Sequence, residues 1–154
     1  MIEQAHVVNV VPDTHIIIRG IRGVLPDQTI VEWIEYGRIQ MHSSSQTRGE
    51  IFTIADRLGF QKTGLTSEQT QRMETLLFIS HHITDVDGTH LDKRYVPKDG
   101  GDKKLVRVAM RTKSAIVTND GDFDDPELRS SLSGVGVLVY SSFQFYMLYK
   151  DKFI

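Results

Sequence analysis

Lys113-Ser-Ala-Ile-Val-Thr-Asn-Asp-Gly-Asp-Phe123 is the stretch that decides the fold. Ala115 to Val117 is a short apolar, β-branched run bounded by polar residues, the pattern of a strand buried in a parallel sheet. It runs straight into Thr118-Asn119-Asp120-Gly121-Asp122, so two carboxylates stand just past the strand's C-terminal end. In open α/β sheets, ligand sites gather at that edge. Asn, Asp and Gly also suit an ordinary polar turn. The function therefore depends on whether other acids reach the same place.

Working outward, the alternation of segments predicts a doubly covered sheet. Residues 6–11 read as a first buried strand, interrupted by Asn9 and stopped by Pro12, with Asp13-Thr14-His15 directly after it. Ile16-Ile17-Ile18 leads to Arg19-Gly20 and fits a helix or a turn equally well. Residues 29–36 carry a helical apolar face, and 38–42 alternate as a second strand. Residues 46–58 repeat Ile51, Ile54, Ala55 and Leu58 at helical spacing, with Glu50 in the early turns. Thr66-Ser-Glu-Gln69 has the form of a capping box and opens a helix expected to run to Ile83. Residues 84–101, rich in Asp, Gly and Lys, read as a long surface loop, a length usually tied to function or mobility. Asp102 stands where an N-cap belongs, before a helix burying Leu105, Val106, Val108 and Ala109. Residues 124–127 start a short helix or turn, 135–140 form a last strand, and Ser141-Ser142 caps a final helix. Strands alternating with helices predict a three-layer α/β/α sandwich with a central parallel sheet. One domain spanning 1–154 is expected, with no repeat or linker.

Composition narrows the chemistry. The chain has 154 residues, a net charge of −2 and a pI near 6.3, so no global pull toward nucleic acid follows. A bound divalent metal could still supply positive charge locally. There is no cysteine, which removes disulfides, thiolate catalysis and Cys-based zinc sites. No apolar run is long enough for a membrane span, and the first residues lack a secretory pattern, so the expected location is the cytoplasm.

Four acids occupy places that could converge: Asp13 after the first strand, Glu50 on the helix after the second, Asp102 before the deciding strand, and Asp120 after it. Singly, each has a plain structural role as a turn, a cap or a solvated helix residue. Together in one pocket they would repel one another unless a cation sat between them. Hard divalent cations such as Mg²⁺ and Mn²⁺ prefer oxygen ligands.

At these residues the sequence resembles the PIN-domain ribonucleases, including the toxins of VapBC toxin–antitoxin pairs. Asp13-Thr-His15 is similar to the family's opening Asp-Thr-His/Asn, Arg48-Gly-Glu50 to its helical Glu, and Asp102 to 109 to its Asp followed by an apolar helix. Thr118-Asn-Asp-Gly-Asp-Phe123 is close to its Thr-x-Asp-x-Asp-Phe. The likeness runs from Val7 to Tyr140, with Pro12 and the long 84–101 loop as departures and Asp99 as a rival to Asp102. It implies a Mg²⁺- or Mn²⁺-dependent endoribonuclease. Asp13, Glu50, Asp102 and Asp120 would be catalytic and metal-holding, Asp122 a further ligand, and Thr14, Thr118 and Asn119 would orient ligands or phosphate. RNA is the implied substrate. An antitoxin protein and a second copy of the chain are the candidate partners. A PIN-like module that binds RNA or protein with little catalysis is the second reading.

Two other signals compete. Asp85-Val-Asp87-Gly-Thr89 matches the Asp-x-Asp-Gly-Thr motif of haloacid-dehalogenase-type phosphatases, where the first Asp attacks phosphate. That motif should follow a buried apolar strand, and Ser80-His81-His82 precedes it, so a loop turn is the better expectation. His81 and His82 read as a solvated helix end, and Phe143, Phe145, Tyr146 and Tyr149 as packing against the sheet or a partner.

Overall fold

The computed structural model describes residues 7–59, 64–86, 90–97 and 103–153. Five strands form one parallel sheet: β1 (Val8–Pro12), β2 (Ile39–Ser43), β3 (His81–Ile83), β4 (Ala115–Val117) and β5 (Val139–Tyr140), in the order β3-β2-β1-β4-β5. The side chains alternate between two cores, as strand pleating requires. Val10, Met41 and Val117 enter one core with α1 (Thr14–Ile21), α2 (Asp27–Glu35), α3 (Ser45–Gly59), α4 (Ser67–Ile79) and α7 (Ser142–Tyr149). Val11, Ile116 and Val139 enter the other with α5 (Lys103–Thr112) and α6 (Pro126–Gly134). This is the expected α/β/α sandwich.

Strand order reverses between β1 and β4. From β1 the chain winds outward through β2 and β3, then returns to lay β4 on β1's other side. Such a reversal opens a crevice at the C-terminal ends of the two central strands. Pro12 pairs in register with Val117, so it ends the strand from within. It has no N–H to offer, but pairing to β2 stops at Val10, and the Asp13 amide carries the ladder on to the Val117 carbonyl at 2.9 Å.

One open reading is settled and three expectations are corrected. The undecided stretch 16–18 is helical: Asp13 caps α1, accepting from the His15 amide. The helix expected to reach Ile83 stops at Ile79, and His81–Ile83 is instead an edge strand, register-paired with Met41 to Ser43. Backbone pairing with β2 outweighs the helical spacing there. The last strand shortens to Val139–Tyr140, because Val135 caps α6 and Gly136, at φ 83°, makes a left-handed turn. The 84–101 loop is not wholly surface: Val86 and Pro97 are buried, and a 3₁₀ turn forms at Lys93–Tyr95. Thr66 with Gln69 and Ser141 with Gln144 both form full capping boxes, and Asp125 caps α6.

The strand placement of the histidines has a consequence. His42 on β2 stacks on His82 of β3, with ring centroids 5.5 Å apart, and bonds Asn9 Oδ1 at 3.0 Å. Burial lowers the His42 pKa below 6.5, and the neighbouring His82 and His81 add to it. Burial also lowers His81, with Arg48 and His82 adding and the Leu76 carbonyl opposing. Folding thus favours the neutral rings, while the unfolded chain takes up protons below about pH 6.5. This stability is complete above that value and is lost as pH falls toward the lowered folded-state values. Urea unfolding should give a lower stability at pH 5.5 than at 7.5, and His42→Gln should flatten the difference. Equal stability at both pH values would contradict the burial argument.

Candidate active site at the sheet's C-terminal edge

Asp13 and Asp120 face one pocket of about 250 Å³ at the β1/β4 crevice, lined also by His15, Ile16, Arg19 and Asn119. Thr118, buried at the end of β4, links the two acids. Its hydroxyl donates to Asp13 Oδ2 at 3.0 Å and accepts from the Asp120 amide at 3.1 Å, while its own amide bonds the Tyr140 carbonyl. One side chain therefore sets the orientation of one acid and the backbone position of the other. Asp13 Oδ1 accepts from the His15 amide, and the His15 ring lies 3.6 Å away. Asp120 caps the 3₁₀ turn Gly121–Phe123, accepting from the Asp122 amide at 3.0 Å. Phe123, fully buried, pins that turn to the sheet.

The other expected residues fall as follows. Asn119 lines the pocket, but its amide is tied to Ser142 at the start of α7: it donates to Oγ and accepts from the backbone amide, each at 3.0 Å. It is a strut between β4 and α7, with less freedom to reach phosphate than its sequence position suggests. Thr14 is buried as the first residue of α1 and does not line the pocket. Asp122 contributes its amide to Asp120. Glu50 is half-exposed on α3, pairs with Lys104 of α5 and is not among the residues lining the pocket. Asp102, Asp99 and Asp87 lie outside the described residues. Among the described residues, no group of three or more His, Cys, Asp or Glu stands close enough to hold a metal.

Asp85 follows a strand after all, but an edge strand, and its carboxylate accepts from the Ser45 amide at 3.0 Å and hydroxyl at 2.9 Å. Those bonds hold its carboxyl below the usual range and secure the first turn of α3. It acts as a helix clamp, remote from the crevice where the sheet reverses.

Two residues carried no signal in the sequence: Arg19 as a pocket cation, and Ser142, outside the pocket lining, as the anchor of Asn119. Once α1 is known to start at Thr14, Arg19 falls one turn after His15, on the same face. Reading Asp13 as an N-cap as well as an acid would have found it.

The PIN domain family model matches residues 9–122, from β1 through the Asp120 turn. The chain belongs to the PIN-domain family. No curated protein matches it. The PIN domain is a nuclease-type fold that generally uses divalent metal ions. The donors of this PIN domain fit such an ion. Asp13 and Asp120 offer hard carboxylate oxygens at one pocket, and Thr118 orients Asp13 from behind, as outer hydrogen bonds orient metal ligands. Two carboxylates with water filling the remaining positions is a common arrangement for Mg²⁺. Among the described residues no helix is long and apolar enough to cross a membrane.

Proposed function

We propose that this PIN domain is a metal-dependent endoribonuclease that hydrolyses phosphodiester bonds of RNA. The supporting observation is the pairing of Asp13 and Asp120 on one pocket, tied together through the Thr118 hydroxyl. Asp13 and Asp120 would hold Mg²⁺ or Mn²⁺, with Asp102 and Asp122 as further acids; Glu50 would join them only on leaving Lys104. When bound, the ion lowers the pKa of water and neutralises charge on the phosphate and leaving oxygen. The chain's own part is positional. Thr118 fixes the Asp13 carboxylate, the Asp122 amide fixes Asp120, and the Asn119–Ser142 strut holds the β4 loop against α7. The test is cleavage of single-stranded RNA with Mn²⁺ against EDTA; RNA left intact in both sinks the reading.

Metal should also raise stability. Asp13 and Asp120 have no Lys or Arg within salt-bridge distance among the described residues, so a cation between them relieves repulsion. Binding to the native state alone adds about 2.7 kcal/mol at a hundredfold excess over Kd. Melting should therefore shift upward in Mn²⁺ relative to EDTA. Identical melts, with no heat in calorimetry, would remove the metal site.

The non-catalytic reading has one observation in its favour: Glu50 is neutralised by Lys104 and does not line the pocket. RNA binding with no cleavage in any divalent metal would select it. The nuclease reading extends to a biological setting, the toxin of a toxin–antitoxin pair acting in the cytoplasm. A small DNA-binding protein encoded beside it would support that setting, and light scattering would test the candidate homodimer.

A further inference from the structure

Arg19 lines the same pocket as Asp13 and Asp120 yet forms an ion pair with neither. Its Nε lies 3.3 Å from Oδ2 of Asp27, the first residue of α2. Asp27 is 0% exposed, and neither carboxylate oxygen has a hydrogen-bond partner. Burying a carboxylate this way is costly, and removal of its one charge partner is costlier still. Gly20 explains how it comes to be there. A Cβ at Gly20 would stand 2.4 Å from Val31 Cγ2 and 2.7 Å from the Asp27 carbonyl oxygen, so α1 and α2 meet where only glycine fits. That approach brings Asp27 against Arg19, the residue before Gly20.

The anchor engages Nε. Arginine carries five N–H donors in a rigid fork, so an ion pair at Nε does not use the donors of the terminal nitrogens, and the half-exposed side chain lines the pocket. A pocket with two carboxylates repels phosphate; a guanidinium fixed on its wall provides a permanent cation that does not depend on metal.

We propose that Arg19 binds a non-bridging phosphate oxygen of the RNA strand in the Asp13–Asp120 pocket, and that Asp27 is its positioning residue. The assignment rests on the nuclease reading above. Arg19 supplies the donors, and Asp27 keeps the fork turned toward the crevice.

The experiment measures the affinity of a single-stranded oligoribonucleotide across a salt series, in an Asp120→Asn background, beside cleavage rates in the active protein. Arg19→Met alone strands the buried Asp27 charge and can unfold the chain. Arg19→Met with Asp27→Asn removes both charges and should melt near the wild type. That double variant should bind RNA about tenfold or more weakly, the usual loss for a charged hydrogen bond. Its slope of log affinity on log salt should shrink by about 0.7, one phosphate contact on a single strand. Arg19→Lys should keep the slope but cut more slowly, because lysine has no fork to anchor. A folded double variant with wild-type affinity and slope overturns the proposal and leaves the nuclease reading standing. A wild-type protein that neither binds nor cuts RNA overturns both.

Discussion

Asp13→Asn is expected to reduce RNA cleavage at least about a hundredfold while leaving the fold in place. Asparagine caps a helix as well as aspartate does, so α1 keeps its start, and the hydrogen bond from the His15 amide survives. What is lost is one negative oxygen at the pocket. The Thr118 hydroxyl, which now donates to Asp13 Oδ2, would face an amide at that position and must turn or find another acceptor. Metal-assisted stabilisation of transition-state charge is worth several kcal/mol, and each 1.4 kcal/mol is about tenfold in rate. Asp120→Asn should behave alike, since Asn can also accept from the Asp122 amide. Metal-free stability should hold level or rise in both variants, because one of two like charges is gone. Activity near the wild-type level in Asp13→Asn, with an unchanged melt, would reduce Asp13 to a helix cap and move the chemistry elsewhere.

Phe123→Ala should produce the largest loss of stability. Phe123 is fully buried in the α5/α6 core, and its carbonyl accepts from Arg129 Nε at 2.7 Å. Truncating such a ring costs about 3–5 kcal/mol. At roughly 2–4 °C per kcal/mol for a chain of this size, Tm should fall by about 6–20 °C. The same turn is capped by Asp120, so the loss reaches the site. Cleavage measured well below the new Tm should also decline, since the ring no longer pins the loop that carries the acid. A shift of only a degree or two in a calorimetric scan would show that the turn is held by other contacts.

These two residues mark how far the sequence could be read. Asp13 and Asp120 were legible because each follows a short, β-branched apolar run that suits a buried strand. Parallel strands side by side bring their C-terminal ends to one edge, and Phe123 was legible as the apolar end of the motif. Ser141 and Thr66 were legible because capping is settled within four residues. Glu50 was legible as an acid on a helix but not as the partner of Lys104, because that pair joins α3 to α5. His81 and His82 were misread for the same reason: a three-residue edge strand has no local signature, and pairing with β2 creates it.

The sequence by itself determined the element types with strong periodicity, the parallel α/β class, and the two acids at the ends of adjacent strands. Those follow from side-chain alternation and from turn and cap chemistry, all acting over a few residues. Only the tertiary structure decided that Thr118 joins the two acids and that Asn119 is spent on Ser142. It also decided that Asp85 clamps α3 and that Asp27 lies buried against Arg19. Apart from the local Thr118–Asp120 bond, each of these contacts links residues from separate parts of the chain. A carboxylate's partner is set by which backbone packs within about 3 Å of it, and that distance is fixed only when the helices close on the sheet.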